Sequence, residues 1–451
     1  MTPVEIGLFA IVLLIIMLAI RVPVGISLIF AAGIGSFMLT PGGFGAALTV
    51  VSGHMLRITQ TQPLAVIPLF ILMGAFAVKA GLGEALFEVF SFLFRKRRGG
   101  AAMAAIGTNA LLGALSGSTS NFGLVSNAAW VSSTASNAAL TPSSASASSP
   151  ASASNQIILT PVIALTIYAF LANQSVGQLI MAGIIPVVLA AAALIAAVPI
   201  LLLIRPKLAD KRAEESSFPI ASLKVVWVVP FIFLVVFGSI FMGWMTPVEA
   251  GAAGAFLALL FAISTRRINL RGFIEALIFS AKSTAAIFLL IIGGSLFGLL
   301  LTRSLISMEL AAFFAGLGVP AVVFVISILT AYMLIARVVS EAAVLVLFTP
   351  FVYPIIAGPG TRPVWFGVLT VVILLTASLL PKSGNKDTGA KTESKKSANK
   401  TLSGSRTAAD GIDINLFACD YPFRLTLLIV CVIISILPII AMALPGLMRG
   451  W

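Results

Sequence analysis

Charge is scarce in this sequence, and so are the side chains of polar catalysis. Of 451 residues 10% are charged, and there are one histidine and two cysteines; a soluble domain carries about 25% charged residues. With one histidine, His54, no serine inside the apolar sequence has a base to serve it. No HExxH, CxxC, P-loop or GxSxG pattern stands in a fitting context. The cysteines, Cys419 and Cys431, match no metal-site spacing. The chain is therefore read as no enzyme, with no resident cofactor. From Gly99 to Ile204 there is not one Asp, Glu, Lys or Arg, which excludes an ordinary solvated surface for that stretch.

What is abundant is apolar sequence, 59% of the chain, with a mean hydropathy of +1.12. These values describe an all-α integral membrane protein with many spans, surrounded by lipid. The net charge of +13 does not imply nucleic acid, because the basic residues sit in short loops between apolar runs, where they report topology. Arg95 to Arg98, Arg205 to Arg212 and Arg266 to Arg271 mark three cytoplasmic loops. They fall on one side if the tract after Ala101 is a re-entrant hairpin that returns to its own side. The first run, Val4 to Ile20, has no basic n-region and no cleavage site, and reads as a retained helix.

Local signals place the elements. Thr2-Pro3-Val4-Glu5 and Thr246-Pro247-Val248-Glu249 are capping boxes with proline at the first helical position. Val24 to Leu39 is a second span. Phe44 to Gln62 is amphipathic, and its lone His54 reads as interfacial. Leu64 to Phe94 is a long apolar stretch with an expected break at Pro68. Ile157 to Leu171 and Leu179 to Ile204 are joined by the turn Ala172-Asn173-Gln174-Ser175. Val225 to Trp244, Val248 to Ile263, Phe273 to Leu301, Ala311 to Ile335, Ala342 to Ile356, Val364 to Leu380 and Leu425 to Leu444 follow, for an expected ten to twelve spans. Gly293-Gly294 and Gly316-Leu317-Gly318 read as close helix packing. Lys382 to Asp413, basic and rich in Ser, Thr, Gly and Asn, reads as a solvated, disordered loop.

The chemistry concentrates in two polar interruptions. Ser116-Gly117-Ser118-Thr119-Ser120-Asn121 opens an uncharged tract that ends near Asn155-Gln156, flanked by membrane-grade segments. Backbone at membrane depth must be satisfied by protein, by a water-filled cavity or by an ion, and broken apolar segments point to a transporter site near the midplane. The other reading is a Ser/Ala linker. Ser116, Gly117, Ser118 and Asn121, with Thr160 and Pro161 at the facing end, offer uncharged oxygens for a Na⁺ site; Pro161 has no N–H and leaves a preceding carbonyl free to turn. A second interruption, Arg337 to Glu341, is either a hairpin tip or a short loop. It suggests a second site around Ser340, Thr349, Pro381 and Gly384. Helix N-termini facing the same space favour an anionic substrate group. The residues alone thus suggest a cation-coupled carrier of small anions.

Several runs then carry a resemblance. Pro68-Leu69-Phe70-Ile71-Leu72-Met73-Gly74, Arg98-Gly99-Gly100-Ala101, Ser116-Gly117-Ser118, and Gln174-Ser175-Val176-Gly177-Gln178-Leu179 running on to Ala182-Gly183-Ile184-Ile185-Pro186 are similar to the large membrane subunit of TRAP transporters, the DctM-like permeases. So are Thr246 to Gly251 and Val364 to Leu369. The resemblance covers most of residues 1–380. It implies an elevator-type secondary transporter with a scaffold, a transport domain and two re-entrant hairpins in the bacterial inner membrane. It also implies Na⁺-driven uptake of an organic acid of the dicarboxylate or sialic-acid type, with a small membrane subunit and a periplasmic substrate-binding protein as partners. The chain departs from the family at both hairpins: a Pro-Pro pair appears as Thr160-Pro161, an acidic motif as Ser340-Glu341, and a later Thr-Pro-Pro motif as Leu380-Pro381-Lys382-Ser383-Gly384. Two alternatives stay open: a self-sufficient Na⁺-coupled anion carrier of a related elevator family, and a non-transporting membrane protein with degraded ion sites. The expected organisation is an N-terminal half, 1–204, with its hairpin at about 101–161; a cytoplasmic loop, 205–224; a C-terminal half, 225–381; the basic loop, 382–413; and a last span within 414–451.

Overall fold

The computed structural model describes residues 2–97, 99–116, 161–204, 225–306, 308–309, 312, 321–336, 339–356, 362–378 and 413–448. Every regular element among them is helical. The helices are α1 (Pro3–Ala19), α2 (Val24–Leu39), α3 (Gly43–Thr59), α4 (Val66–Lys79), α5 (Leu82–Phe94), α6 (Gly100–Ser116), α7 (Pro161–Leu171) and α8 (Val176–Ile204). They continue with α9 (Val228–Phe241), α10 (Pro247–Ser264), α11 (Leu270–Arg303), α12 (Ala321–Ile335), α13 (Glu341–Ile356), α14 (Pro363–Ser378), α15 (Asp413–Ile436) and α16 (Ile439–Leu447). A 3₁₀ turn, Gln62–Ala65, leads into α4.

Both capping boxes form. Thr2 Oγ1 accepts from Glu5 N–H at 3.3 Å while Glu5 Oε2 accepts from Thr2 N–H at 2.9 Å. At α10 the Thr246 N–H donates to Glu249 Oε2 at 2.8 Å and the hydroxyl to the same oxygen at 2.9 Å. Asn269 starts α11, its Oδ1 accepting from Gly272 N–H at 2.8 Å.

Among the described residues four helical stretches are long and apolar enough to cross a membrane: Gln62–Lys79, Val176–Leu203, Pro247–Ser264 and Leu270–Arg303. The bent pair α15–α16 makes a fifth. Others, α1, α2 and α9 among them, are apolar but 10–17 residues long, so ten to twelve spans are reached only with these shorter helices counted. Helices apolar all round suit burial or lipid, and α1 turns Leu8, Ile15 and Ile16 outward.

Two breaks differ from the sequence expectation. Pro68 does not interrupt its segment, because it lies in the first turn of α4, where an N–H has no intrahelical partner to lose. The chain breaks instead at Gly81, whose φ is +74°, a left-handed conformation that glycine adopts without strain. The last span is not one helix: α15 and α16 meet at 60° across Leu437-Pro438, where proline supplies no N–H to continue the ladder.

Glycine lets α11 press against two neighbours at once. A Cβ on Gly293 would stand 2.7 Å from the Gly25 carbonyl oxygen and 2.9 Å from Leu28 Cβ on α2. One on Gly294 would overlap Val346 on α13. The packing role expected for Gly293-Gly294 is thus realised; Gly316 to Gly318 lie outside the described residues. Gly251 and Gly254 do the same for α10, against Phe70 and Met73 of α4.

The helices give the molecule two distinct ends. At one, Lys79 Nζ meets Glu275 Oε2 at 2.7 Å, Arg271 Nε meets Glu275 Oε1 at 3.2 Å and Arg267 approaches Glu84 at 3.7 Å. The C-terminal ends of α8 and α10, which lead into basic sequence, lie away from the cavity at which both helices begin. Gly99, beside Arg95 to Arg97, packs against Val198 and Leu202 near the end of α8.

Candidate functional site

The cavity is built where several helix ends meet, opposite the ion pairs. Its volume is about 850 Å³, within the range of small-molecule sites. The C-terminal part of α3 and the 3₁₀ turn form one wall. The α7–α8 turn and the start of α10 form a second, and the later turns of α11 and α13 close it.

Arg57 is the one charged side chain in the lining among the described residues. It follows His54 by three positions, so the two share a face of α3. An Arg57 Nη lies 3.4 Å from His54 Nδ1, and His54 Nε2 lies 2.9 Å from Ser295 Oγ on α11. A guanidinium can only donate, so Nδ1 is the acceptor. The proton of the neutral ring is on Nε2, which donates to Ser295. Burial, and then the adjacent Arg57 guanidinium, hold His54 below the ordinary imidazole value; the Ser295 backbone opposes this and Arg303 adds to it. His54 is therefore neutral at pH 7, and the cavity's formal charge comes from Arg57.

Facing elements supply neutral polar groups. Asn173, at φ +50°, turns the chain between α7 and α8. This places Gln174 so that its Nε2 donates to Ala172 O at 3.2 Å and to Tyr353 Oη on α13 at 3.0 Å. Ser175 Oγ accepts from Gln178 N–H at 3.4 Å and starts α8. Cation and neutral hydroxyls and amides around one space can bind and orient an organic anion. Ser295 and His54 in the lining are bonded with the ring nitrogen as donor, so the imidazole does not act as a base toward that hydroxyl; no group of three or more potential metal ligands occurs among the described residues.

The residues read from sequence as a cation cage lie mostly outside the described residues. Gly117, Ser118, Asn121 and Thr160 lie outside the described residues; Ser116 ends α6 and Pro161 begins α7, with only their backbones described. Of the second set, Pro381 and Gly384 lie outside the described residues. Ser340 is exposed just before α13, and Thr349 is buried with its hydroxyl bonded to the Leu345 carbonyl of its own helix. Nine positions along α13 separate the two, about 13 Å of rise. Sequence reasoning missed His54, Arg57 and Tyr353 as site residues. The signal available was the lone histidine and an arginine at i, i+3 on an amphipathic helix.

Apolar helices with glycine crossings, broken spans and a polar cavity among helix ends define a multi-pass membrane protein. The fold agrees with that of a solved transporter, YdaH of Alcanivorax borkumensis, at a TM-score of 0.63 and 17% identity over 89% of this chain and 90% of that one. The chain belongs to the DctM component family of tripartite ATP-independent periplasmic transporters, whose model matches residues 11–386. Relatives include the sialic acid TRAP transporter large permease protein SiaM of Vibrio cholerae, 28% identical over 80% of this chain and 84% of that protein. The C4-dicarboxylate large permease DctM of Pseudomonas aeruginosa is 23% identical over 86% and 87%. The isethionate permease DctMQ of Oleidesulfovibrio alaskensis is 26% identical over 85% of this chain and 59% of its own length.

Proposed function

We propose that this chain is the large permease subunit of a tripartite, Na⁺-coupled importer of an organic acid. It works with a small membrane subunit and a periplasmic substrate-binding protein in a bacterial inner membrane, and it is not an enzyme. The observation that carries the reading is the cavity with Arg57 as its single charge among the described residues, placed at the end away from the loops at Arg95 to Arg97 and Arg266 to Arg271. By the positive-inside rule the basic end is cytoplasmic, so the cavity opens on the periplasmic side, where a binding protein releases its acid. The relatives' names describe sialic acid, C4-dicarboxylate and isethionate transport, and all three are small organic anions.

Transport in this reading is elevator-like: the hairpin-bearing part of each half moves against a scaffold. Na⁺ binds among Ser116, Gly117, Ser118, Asn121, Thr160 and Pro161, whose uncharged oxygens suit a hard monovalent cation. Ser340, Thr349, Pro381 and Gly384 belong to the second half's hairpin region. The test is uptake into proteoliposomes with both partner proteins supplied and a Na⁺ gradient imposed. Ser118→Ala weakens the dependence on Na⁺, and Arg57→Gln lowers uptake about ten- to a hundredfold, the worth of a charge-assisted hydrogen bond. Wild-type uptake indifferent to Na⁺ removes the coupling ion, and no uptake with a verified partner set removes the transport reading.

A further inference from the structure

As the substrate path of the proposed importer, a reading on which the inference rests, the cavity specifies more than an anion through its hydrogen bonds. Gln174 spends both Nε2 protons within the protein, on Ala172 O and Tyr353 Oη. The Ala172 carbonyl fixes the orientation of the amide, because a carbonyl accepts only from the nitrogen. Gln174 Oε1 is left as an acceptor. Tyr353 Oη already accepts from Gln174, so its own proton is left to donate. A donor beside an acceptor is the complement of a hydroxyl group, which both gives and takes a hydrogen bond. A carboxylate only accepts, and there it would meet the Gln174 carbonyl oxygen with no proton between them.

Charge leads to the same ligand. Arg57 is the only cation in the lining among the described residues. Arg303 acts on His54 electrostatically but does not line the space. The first turn of α10, which would attract a second anionic group, already holds the Glu249 carboxylate on the Thr246 N–H and hydroxyl. That carboxylate repels another. The first turn of α8 faces the cavity as well, and Ser175 Oγ already accepts from its Gln178 N–H, so fewer of its donors are left for a ligand oxygen.

We infer that the cavity takes a monoanionic, hydroxylated organic acid: one carboxylate on Arg57 and a hydroxyl-bearing chain on the Gln174–Tyr353 pair. Dicarboxylates bind less well, because a second carboxylate can accept from Tyr353 Oη but sets its charge against Gln174 Oε1, which is left without a donor. A site built for a hydroxyl discriminates through the groups left unpaired when the wrong ligand enters.

The experiment follows thermal unfolding of the purified full chain in detergent with three probes at matched ionic strength: gluconate, hexanoate and succinate. Gluconate stabilises at the lowest concentration, hexanoate at a higher one, and succinate least. Tyr353→Phe weakens gluconate about two- to tenfold, the worth of one neutral hydrogen bond, and leaves hexanoate unchanged. Arg57→Gln weakens both acids about ten- to a hundredfold. Succinate binding as tightly as gluconate in an Arg57-dependent way overturns the substrate class while the organic-acid reading stands. Tyr353→Phe weakening gluconate and hexanoate alike also overturns it, since that marks a structural role. If no acid binds, or if Arg57→Gln changes nothing, the cavity reading falls and takes this one with it.

Discussion

Adding a single methyl group at Gly293 tests the crossing on which the cavity's far wall depends. In Gly293→Ala the new Cβ would stand 2.7 Å from the Gly25 carbonyl oxygen, 2.9 Å from Leu28 Cβ and 3.4 Å from Ile29 Cγ1. The nearest of these is backbone within α2 and cannot rotate away, so α2 and α11 must separate. Forcing a methyl into a packed crossing costs about 1–3 kcal/mol. Alanine's better helix propensity returns about 1 kcal/mol, so the variant ends about 0–2 kcal/mol below wild type. Gly33, on α2 itself, has nothing within 4 Å of its virtual Cβ, so Gly33→Ala receives the propensity gain without the clash. Thermal unfolding in detergent should rank Gly33→Ala at or above wild type and Gly293→Ala clearly below. A Gly293→Ala protein as stable as Gly33→Ala would mean that α2 and α11 do not cross in contact, and would refute the packing argument.

Two other perturbations read the local chemistry. His54 is held neutral by burial and by Arg57, so the folded protein resists its protonation more than the unfolded chain does. The stability this leaves intact above the ordinary imidazole pKa, about 6.5, is lost as pH falls below that value, and the loss should vanish in His54→Gln; an identical acid slope in the variant would place it elsewhere. Thr246→Ala removes one half of the α10 capping box and should cost about 1 kcal/mol in chemical denaturation, with Thr246→Ser retaining most of it; equal losses in the two variants would show that the hydroxyl is not the cap.

What could be read in advance was local. The boxes at Thr2 and Thr246 each lie within four consecutive residues, and the glycine pair at 293–294 stands out inside an apolar run. The Pro68 expectation failed because proline's effect depends on its place in a helix, and the apolar stretch from Leu64 to Phe94 shows no start signal at Val66. Gly81 does the breaking. The bend at Leu437-Pro438 was hidden for the same reason, inside a continuous apolar run. The cavity was not legible because its contacts are not local. His54 and Ser295 are 241 positions apart, Gln174 and Tyr353 are 179 apart, and neither pair has a spacing that a sequence pattern could announce.

The length of α11 sets the molecule against the thickness of its membrane. Its 34 residues extend about 51 Å, well beyond a hydrocarbon core of about 30 Å. Arg271, Glu275 and Lys282 mark its first third and Arg303 its end, and the uncharged stretch from Ser283 to Thr302 is about 30 Å long. The helix therefore carries its own gauge: the uncharged stretch closed by Lys282 and Arg303 matches the hydrocarbon thickness, and the turns before Lys282 exceed it. A thinner bilayer tilts the gauge rather than shortening it. Gly293 and Gly294 bind that tilt to α2 and α13, and Ser295 and Thr302 ride on the same helix at the cavity wall. Lipid chain length thus becomes a setting on the shape of the cavity, with no change in the protein's covalent structure.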